Sequence, residues 1–175
     1  MISDPLLHRM KILIVDDERV NVVLLQHLLQ QHGYGRVQGV TDSRAALDTC
    51  AAFDPDLILL DLMMPHIDGF AILETLRSGD AETFLPVVVL TADISDEAKG
   101  RALEAGATDF LVKPFNQTEA LLRIRNLLET RRLHLLLDNQ RAALEEAVRE
   151  RTAELRAMIV ELQASTQRQQ GSPIL

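Results

Sequence analysis

The chain has 175 residues, 47% hydrophobic and 25% charged, enough apolar material for one ordinary domain with an appendage and too much for a disordered tail. Its 26 acidic and 18 basic side chains leave a formal charge of -8, which argues against the broad basic footprint of a nucleic-acid binder. No apolar run nears the roughly 18 residues of a membrane span, the first ten residues hold no apolar signal core, and the lone cysteine, Cys50, excludes an internal disulfide and fits a reducing cytoplasm.

Lys11–Val15 is a short aliphatic run that suits a central parallel strand. A helix is expected over Val20–Gln31, with Leu24, Leu25, Leu28 and Leu29 on its apolar face and Gly33 beyond its end. Arg36–Val40 reads as a second strand, and Ser43 as the cap of a helix running to about Ala52. Leu57–Leu60 is a fully apolar third strand ending in Asp61, followed by a helix over Gly69–Arg77. Pro86–Leu90 gives a fourth strand ending at Thr91, and Glu97–Glu104 a helix closed by Gly106. Thr108–Val112 is a fifth strand ending at Lys113, after which Asn116 opens the last helix with Glu119 completing an approximate capping box.

Between Phe115 and Gln170 stands neither glycine nor proline, so one continuous helix is expected there. Composition shifts along it. Residues 1–130 carry eleven Lys/Arg against twenty Asp/Glu, together with every Phe and the only Tyr, whereas residues 131–175 carry seven Arg against six acids. A globular domain over 8–130, a helical extension over 131–170 and a frayed tail over 171–175 follow.

Five strands, each followed by a helix, imply an α/β fold with a doubly wound parallel sheet. In such sheets the ligand crevice lies beyond the carboxyl ends of the strands. Those ends deliver Asp16 and Asp17, Asp61, Thr91, and Lys113 with Pro114. Three neighbouring carboxylates repel one another unless a cation lies between them, and hard oxygen donors favour Mg²⁺. Asp61 could then act as a nucleophile toward phosphorus, with Lys113 holding a phosphoryl oxygen as a point charge and Thr91 donating a hydrogen bond. A carboxylate is already ionised at neutral pH, so no general base is required.

Val15-Asp16-Asp17-Glu18, Asp61 with Met64-Pro65 and Asp68-Gly69, Thr91-Ala92 and Lys113-Pro114-Phe115 together resemble the receiver domain of bacterial two-component response regulators over residues 10–130. The resemblance implies a flavodoxin-like sheet of order 2-1-3-4-5, with Asp61 as phosphoacceptor, Asp17 as a direct Mg²⁺ ligand and Asp16 as a ligand through water. It implies that the Met63 backbone carbonyl completes the protein share of the metal shell. Thr91, Ala92 and Lys113 would bind the phosphoryl group, and Thr91 with Phe110 would form the conformational switch. Met63 and Asp93 match positions that tune acyl-phosphate lifetime. A cis Lys113–Pro114 bond, a histidine kinase or phosphotransfer protein as partner, and a cytoplasmic location follow by the same resemblance.

Each motif has a plainer reading when taken alone. An Asp-Asp pair commonly caps a helix, Asp68-Gly69 commonly marks a turn, Phe110 is an ordinary core residue, His66 a solvated loop histidine, and Cys50 a residue packed on a helix face. Two other classes compete with a signalling domain. A Mg²⁺-dependent aspartyl phosphatase would place two aspartates as Asp-x-Asp on one strand, unlike Asp16-Asp17 here; a dimerising scaffold would need no acidic site. A flavin-binding relative is disfavoured, since no glycine- or hydroxyl-rich phosphate loop follows the first strand.

Along the extension, Leu137, Leu144, Val148, Leu155, Met158 and Leu162 fall at alternating a and d heptad positions, with Arg141 and Arg151 in the remaining places. This pattern predicts a parallel coiled-coil homodimer, with docking on another domain or an antiparallel helix as the competing accounts. Arg149-Glu150-Arg151-Thr152-Ala153-Glu154-Leu155, with Asn126-Leu127-Leu128-Glu129 upstream, resembles the linkers of regulators that carry an HD-GYP cyclic di-GMP phosphodiesterase. Similar linkers precede diguanylate cyclases and histidine-kinase modules. No effector motif and no helix-turn-helix occurs in the sequence, so either an output module lies outside this chain or the chain acts as a stand-alone regulator, and no contact of this chain with nucleic acid or membrane is expected.

Overall fold

The computed structural model describes residues 5–78, 84–92 and 95–170. Strands and helices alternate as expected: β1 (Lys11–Val15), α1 (Arg19–Gln31), β2 (Arg36–Val40), α2 (Ala46–Phe53), β3 (Leu57–Asp61), α3 (Gly69–Ser78), β4 (Val87–Thr91), α4 (Asp96–Glu104), β5 (Asp109–Val112) and α5 (Gln117–Gln170). The five strands form one parallel sheet of order β2-β1-β3-β4-β5. Every residue of β3 and β4 is buried, as central parallel strands covered on both faces require.

Alternate strand residues feed opposite faces. Leu13, Val15, Ile58, Leu60, Val87 and Val89 pack in one cluster with Ala46 of α2, Ile72 and Leu73 of α3 and Ala102 of α4. The intervening Ile12, Ile14, Leu59, Val88 and Leu90 are fully buried too, as are Leu25 and Leu29 of α1 and Ala120, Ile124 and Leu128 of α5. The register sets Val15 beside both Val40 and Leu60, Asp61 beside Leu90 and Thr91 beside Val112, so all five strands end along one edge of the sheet.

Several local expectations need correction. A 3₁₀ turn at Leu7–Arg9, unmarked by any apolar period, buries Leu7 and Met10. Val22 rather than Leu24 completes the buried face of α1; Leu24 is 45% exposed, because Val22 lies one turn before Leu25 on the face turned to the sheet while Leu24 falls at that face's edge. Ser43 does not cap α2: it opens a 3₁₀ turn, Ser43–Ala45, whose cap is Asp42, with its carboxylate accepting from Arg44 N, and α2 follows from Ala45 without a side-chain cap. Asn116 does cap α5, accepting from the amides of Thr118 and Glu119, but the Glu119 carboxylate takes Arg123 instead of reaching back. Gly33 and Gly106 stand past α1 and α4 at φ +90° and +98°, where a side chain would be strained.

The chain divides into two compact units, Met1–His134 and Leu135–Leu175. In the first, Arg131 is buried, with its guanidinium 2.6 Å from the Phe84 carbonyl and its Nε 3.7 Å from Asp56 Oδ1. The Phe84 and His134 rings stack beside it at 4.7 Å. In the second, α5 runs to Gln170 and leaves Leu137, Leu144, Val148, Leu155, Met158 and Leu162 exposed, each by half or more. Residues 171–175, the expected frayed tail, lie outside the described residues. No helix among the described residues is long and apolar enough to cross a membrane.

Candidate functional site: an acidic pocket at the strand ends

A parallel strand carries the residue at its carboxyl end to the sheet edge, and four strand ends meet here. Asp16 follows β1 and is held by its own amide donating to Val40 O. Asp61 closes β3, Thr91 closes β4, and Lys113 follows β5 with its amide 2.7 Å from Thr91 O. Carboxylate oxygens of Asp16, Asp17 and Asp61 lie within 4.8 Å of one another. Lys113 reaches into them, its Nζ 2.7 Å from Asp16 Oδ2 and 3.2 Å from Asp61 Oδ2. The Lys113–Pro114 peptide is cis.

Asp16 has no solvent exposure, Asp61 5% and Thr91 5%, while Asp17 is half-buried. Burial pushes the Asp61 carboxyl above the ordinary carboxylate range; the nearby Asp16 charge adds to this, and Lys113 and the Met63 amide offset it only in part. Burial alone would pull the Lys113 ammonium down, yet its hydrogen bond to Asp16 and the charges of Asp61 and Asp16 outweigh that and raise it. Three carboxylates against one ammonium leave two formal negative charges. The donors are all carboxylate oxygens, one from each of three residues, so the set fits a small hard cation.

Of the other residues singled out in the sequence, Ala92 is exposed beside Thr91, and the Met63 side chain is 78% exposed while its amide donates to Asp61 Oδ1 at 3.3 Å. Phe110 lies in β5, partly buried against the core, with Lys99 Nζ 5.3 Å from its ring centre. Asp93 lies outside the described residues. Asp68 caps α3, accepting from Ala71 N at 2.8 Å. A Cβ at Gly69 would come within 2.2 Å of Asp61 O, so only glycine lets α3 start this close to the pocket floor. His66 is exposed, and Cys50 packs partly buried against the core.

Two supports were invisible in the sequence. Ser43 Oγ donates to Pro65 O at 2.6 Å and accepts from Ile67 N at 3.2 Å, anchoring the loop after Asp61. Asn21 of α1 donates its side-chain amide to the Asp16 carboxylate. Their sequence signal is weak, since a lone serine or asparagine near a helix start is ordinarily a cap.

The profile of the response regulator receiver domain matches residues 12–125. The chain is 43% identical over 118 residues to response regulator MprA of Mycolicibacterium vanbaalenii, covering 67% of this chain and 50% of that protein. It is 38% identical over 118 residues to the alkaline phosphatase synthesis transcriptional regulatory protein PhoP of Bacillus subtilis, covering 67% and 48%. The chain thus spans about half the length of these curated relatives. Among solved structures, the chemotaxis protein CheY4 of Vibrio cholerae superposes with a TM-score of 0.63 at 34% identity, covering 68% of this chain and 98% of that one. The receiver domain of the Francisella response regulator 1452 gives 0.65 at 30%, covering 70% and 98%. The match of profile, sequence and fold over the stretch that builds the acidic pocket leads to one conclusion: this chain belongs to the response regulator receiver domain family of two-component systems.

Proposed function

We propose that the pocket accepts a phosphoryl group on Asp61 from a histidine kinase or phosphotransfer protein, with Mg²⁺ bound by the three aspartates. The observation that carries this reading is the ammonium of Lys113 lodged between Asp16 and Asp61, beside a third carboxylate within 4.8 Å. An Asp61 oxygen attacks phosphorus in line with the leaving group. A P–N bond to the donor's imidazole breaks, its electron pair stays on that nitrogen, and an O–P bond forms. Asp17 and Asp61 would hold the ion directly, with the Met63 backbone carbonyl, while Asp16 acts through water. Bound there, Mg²⁺ supplies positive charge toward the transferring phosphoryl oxygens. Lys113 keeps its proton and turns to a phosphoryl oxygen, the Thr91 hydroxyl donates to another, and the exposed Ala92 backbone borders the same edge. Thr91 and Phe110 then relay the change in charge at Asp61 along β4 and β5.

The extension serves as a cytoplasmic output helix. Its seam of Leu137, Leu144, Val148, Leu155, Met158 and Leu162 pairs with a second copy as a parallel coiled coil, supported by the exposure of all six in a single chain. Such a linker would pass the state of the receiver to an output module, the linker sequence favouring a cyclic di-GMP phosphodiesterase. Incubation with acetyl phosphate and Mg²⁺ tests the acceptor: intact mass should gain one phosphoryl group in the wild-type chain and none in Asp61→Asn. Equal uptake by the variant would overturn the assignment.

A further inference from the structure

Asp16 is a carboxylate with no solvent exposure, so the protein itself must supply its hydrogen-bond donors. Its donors are the Glu18 amide at 2.9 Å to Oδ1, Lys113 Nζ at 2.7 Å to Oδ2, and Asn21 Nδ2, which spans both oxygens at 3.2 and 3.0 Å. The same Asn21 nitrogen also lies 3.1 Å from Glu18 Oε2. Acceptors stand on every one of these contacts, so the amide must present its NH₂ group; the flipped orientation would set its carbonyl against two carboxylates. No hydrogen bond or ion pair to the Asp17 carboxylate is found among the described residues, and Asp61 keeps only the long Met63 amide contact besides Lys113.

We infer that Asn21 is a positioning residue of the acidic pocket: its side-chain amide holds the Asp16 carboxylate in place, leaving Asp17 and Asp61 as the carboxylates that take the ion directly. Asn21 suits the task because it is neutral. A lysine there would compete with the ion, and an aspartate would add a fourth charge to a cluster that Lys113 already fails to neutralise. Its placement in the first turn of α1, with its own amide donating to Glu18 O, makes the helix the rigid base of the pocket. The inference rests on the cation reading of the pocket above.

Magnesium binding by isothermal titration calorimetry on the full chain tests it, with Asn21→Ala and Asn21→Leu as variants and thermal melts of each metal-free protein alongside. Asn21 is half-buried at the start of a helix, where both replacements suit the backbone. Loss of the donor should raise the Mg²⁺ dissociation constant about tenfold in both, as for removal of a partner that orients a metal-binding group. A purely structural role would lower the metal-free melting temperature and leave that constant within roughly twofold of wild type, which would overturn the inference. A wild-type chain that takes up no Mg²⁺ at millimolar concentration would instead sink the cation reading itself.

Discussion

Single residues in this protein are governed by what burial does to a charge. Asp16, Asp61 and Lys113 are tolerated in the interior because each meets an opposite charge or a donor within hydrogen-bonding distance. Cys50 shows the same rule from the other side. Burial, reinforced by the Asp54 charge, pushes its thiol above the ordinary cysteine value, so the reactive thiolate is scarce at neutral pH. Alkylation of the native chain should therefore be slow near pH 7, speed up as pH rises toward the shifted thiol value, and become fast at any pH near 8 once denaturant exposes the side chain. Timed labelling with iodoacetamide checks this, and a native rate equal to the unfolded rate would contradict it. At this scale the chemistry-bearing residues were legible because a parallel strand brings the residue at its end to a shared edge. Asn21 and Ser43 were not, because their partners lie on other elements.

At the scale of elements, propensity and period placed strands and helices correctly, while caps and faces were decided by neighbours. Asp42 and Ser43 are both good cap formers; Asp42 holds the cap because Ser43 is engaged by the Pro65–Ile67 loop. Leu24 and Val22 are alike in apolarity, and the face turned to the sheet, centred on Leu25 and Leu29 with Val22 one turn before Leu25, decides which is buried. Arg131 is the clearest case of a residue whose role emerges from packing. In a sequence it reads as a solvated helix arginine, yet its guanidinium satisfies the Phe84 carbonyl ahead of β4 and faces Asp56 ahead of β3. Arg131→Leu should cost about 1–3 kcal/mol by leaving the carbonyl without its donor, a drop of several degrees in melting temperature. Arg131→Lys should recover part of that loss, since it restores the charge without the planar fork. Thermal melts of the three chains measure it; a Leu variant as stable as wild type would refute the clamp.

For the whole molecule, the question is what covers the apolar side chains of the helical extension. A lone helix gains nothing from six large aliphatic residues left wet, whereas the first unit buries its own core completely. The full chain should sediment as two copies, and Leu144→Glu combined with Leu155→Glu as one, with phosphoryl uptake at Asp61 unchanged. A wild-type chain that sediments as a single copy would remove the dimer from the reading. Mass by analytical ultracentrifugation supplies the measurement.

From its sequence alone the chain determines an alternating α/β order, a five-stranded parallel sheet and the residues at its carboxyl edge, because period and apolar run length are local properties. The unbroken C-terminal helix is likewise local, following from some fifty residues without glycine or proline. Tertiary structure alone decided which donors satisfy Asp16, that Ser43 holds the loop after Asp61 instead of a cap, and that Arg131 is buried. Those outcomes depend on groups far apart in the chain meeting at hydrogen-bonding distance, and no local pattern encodes such a meeting.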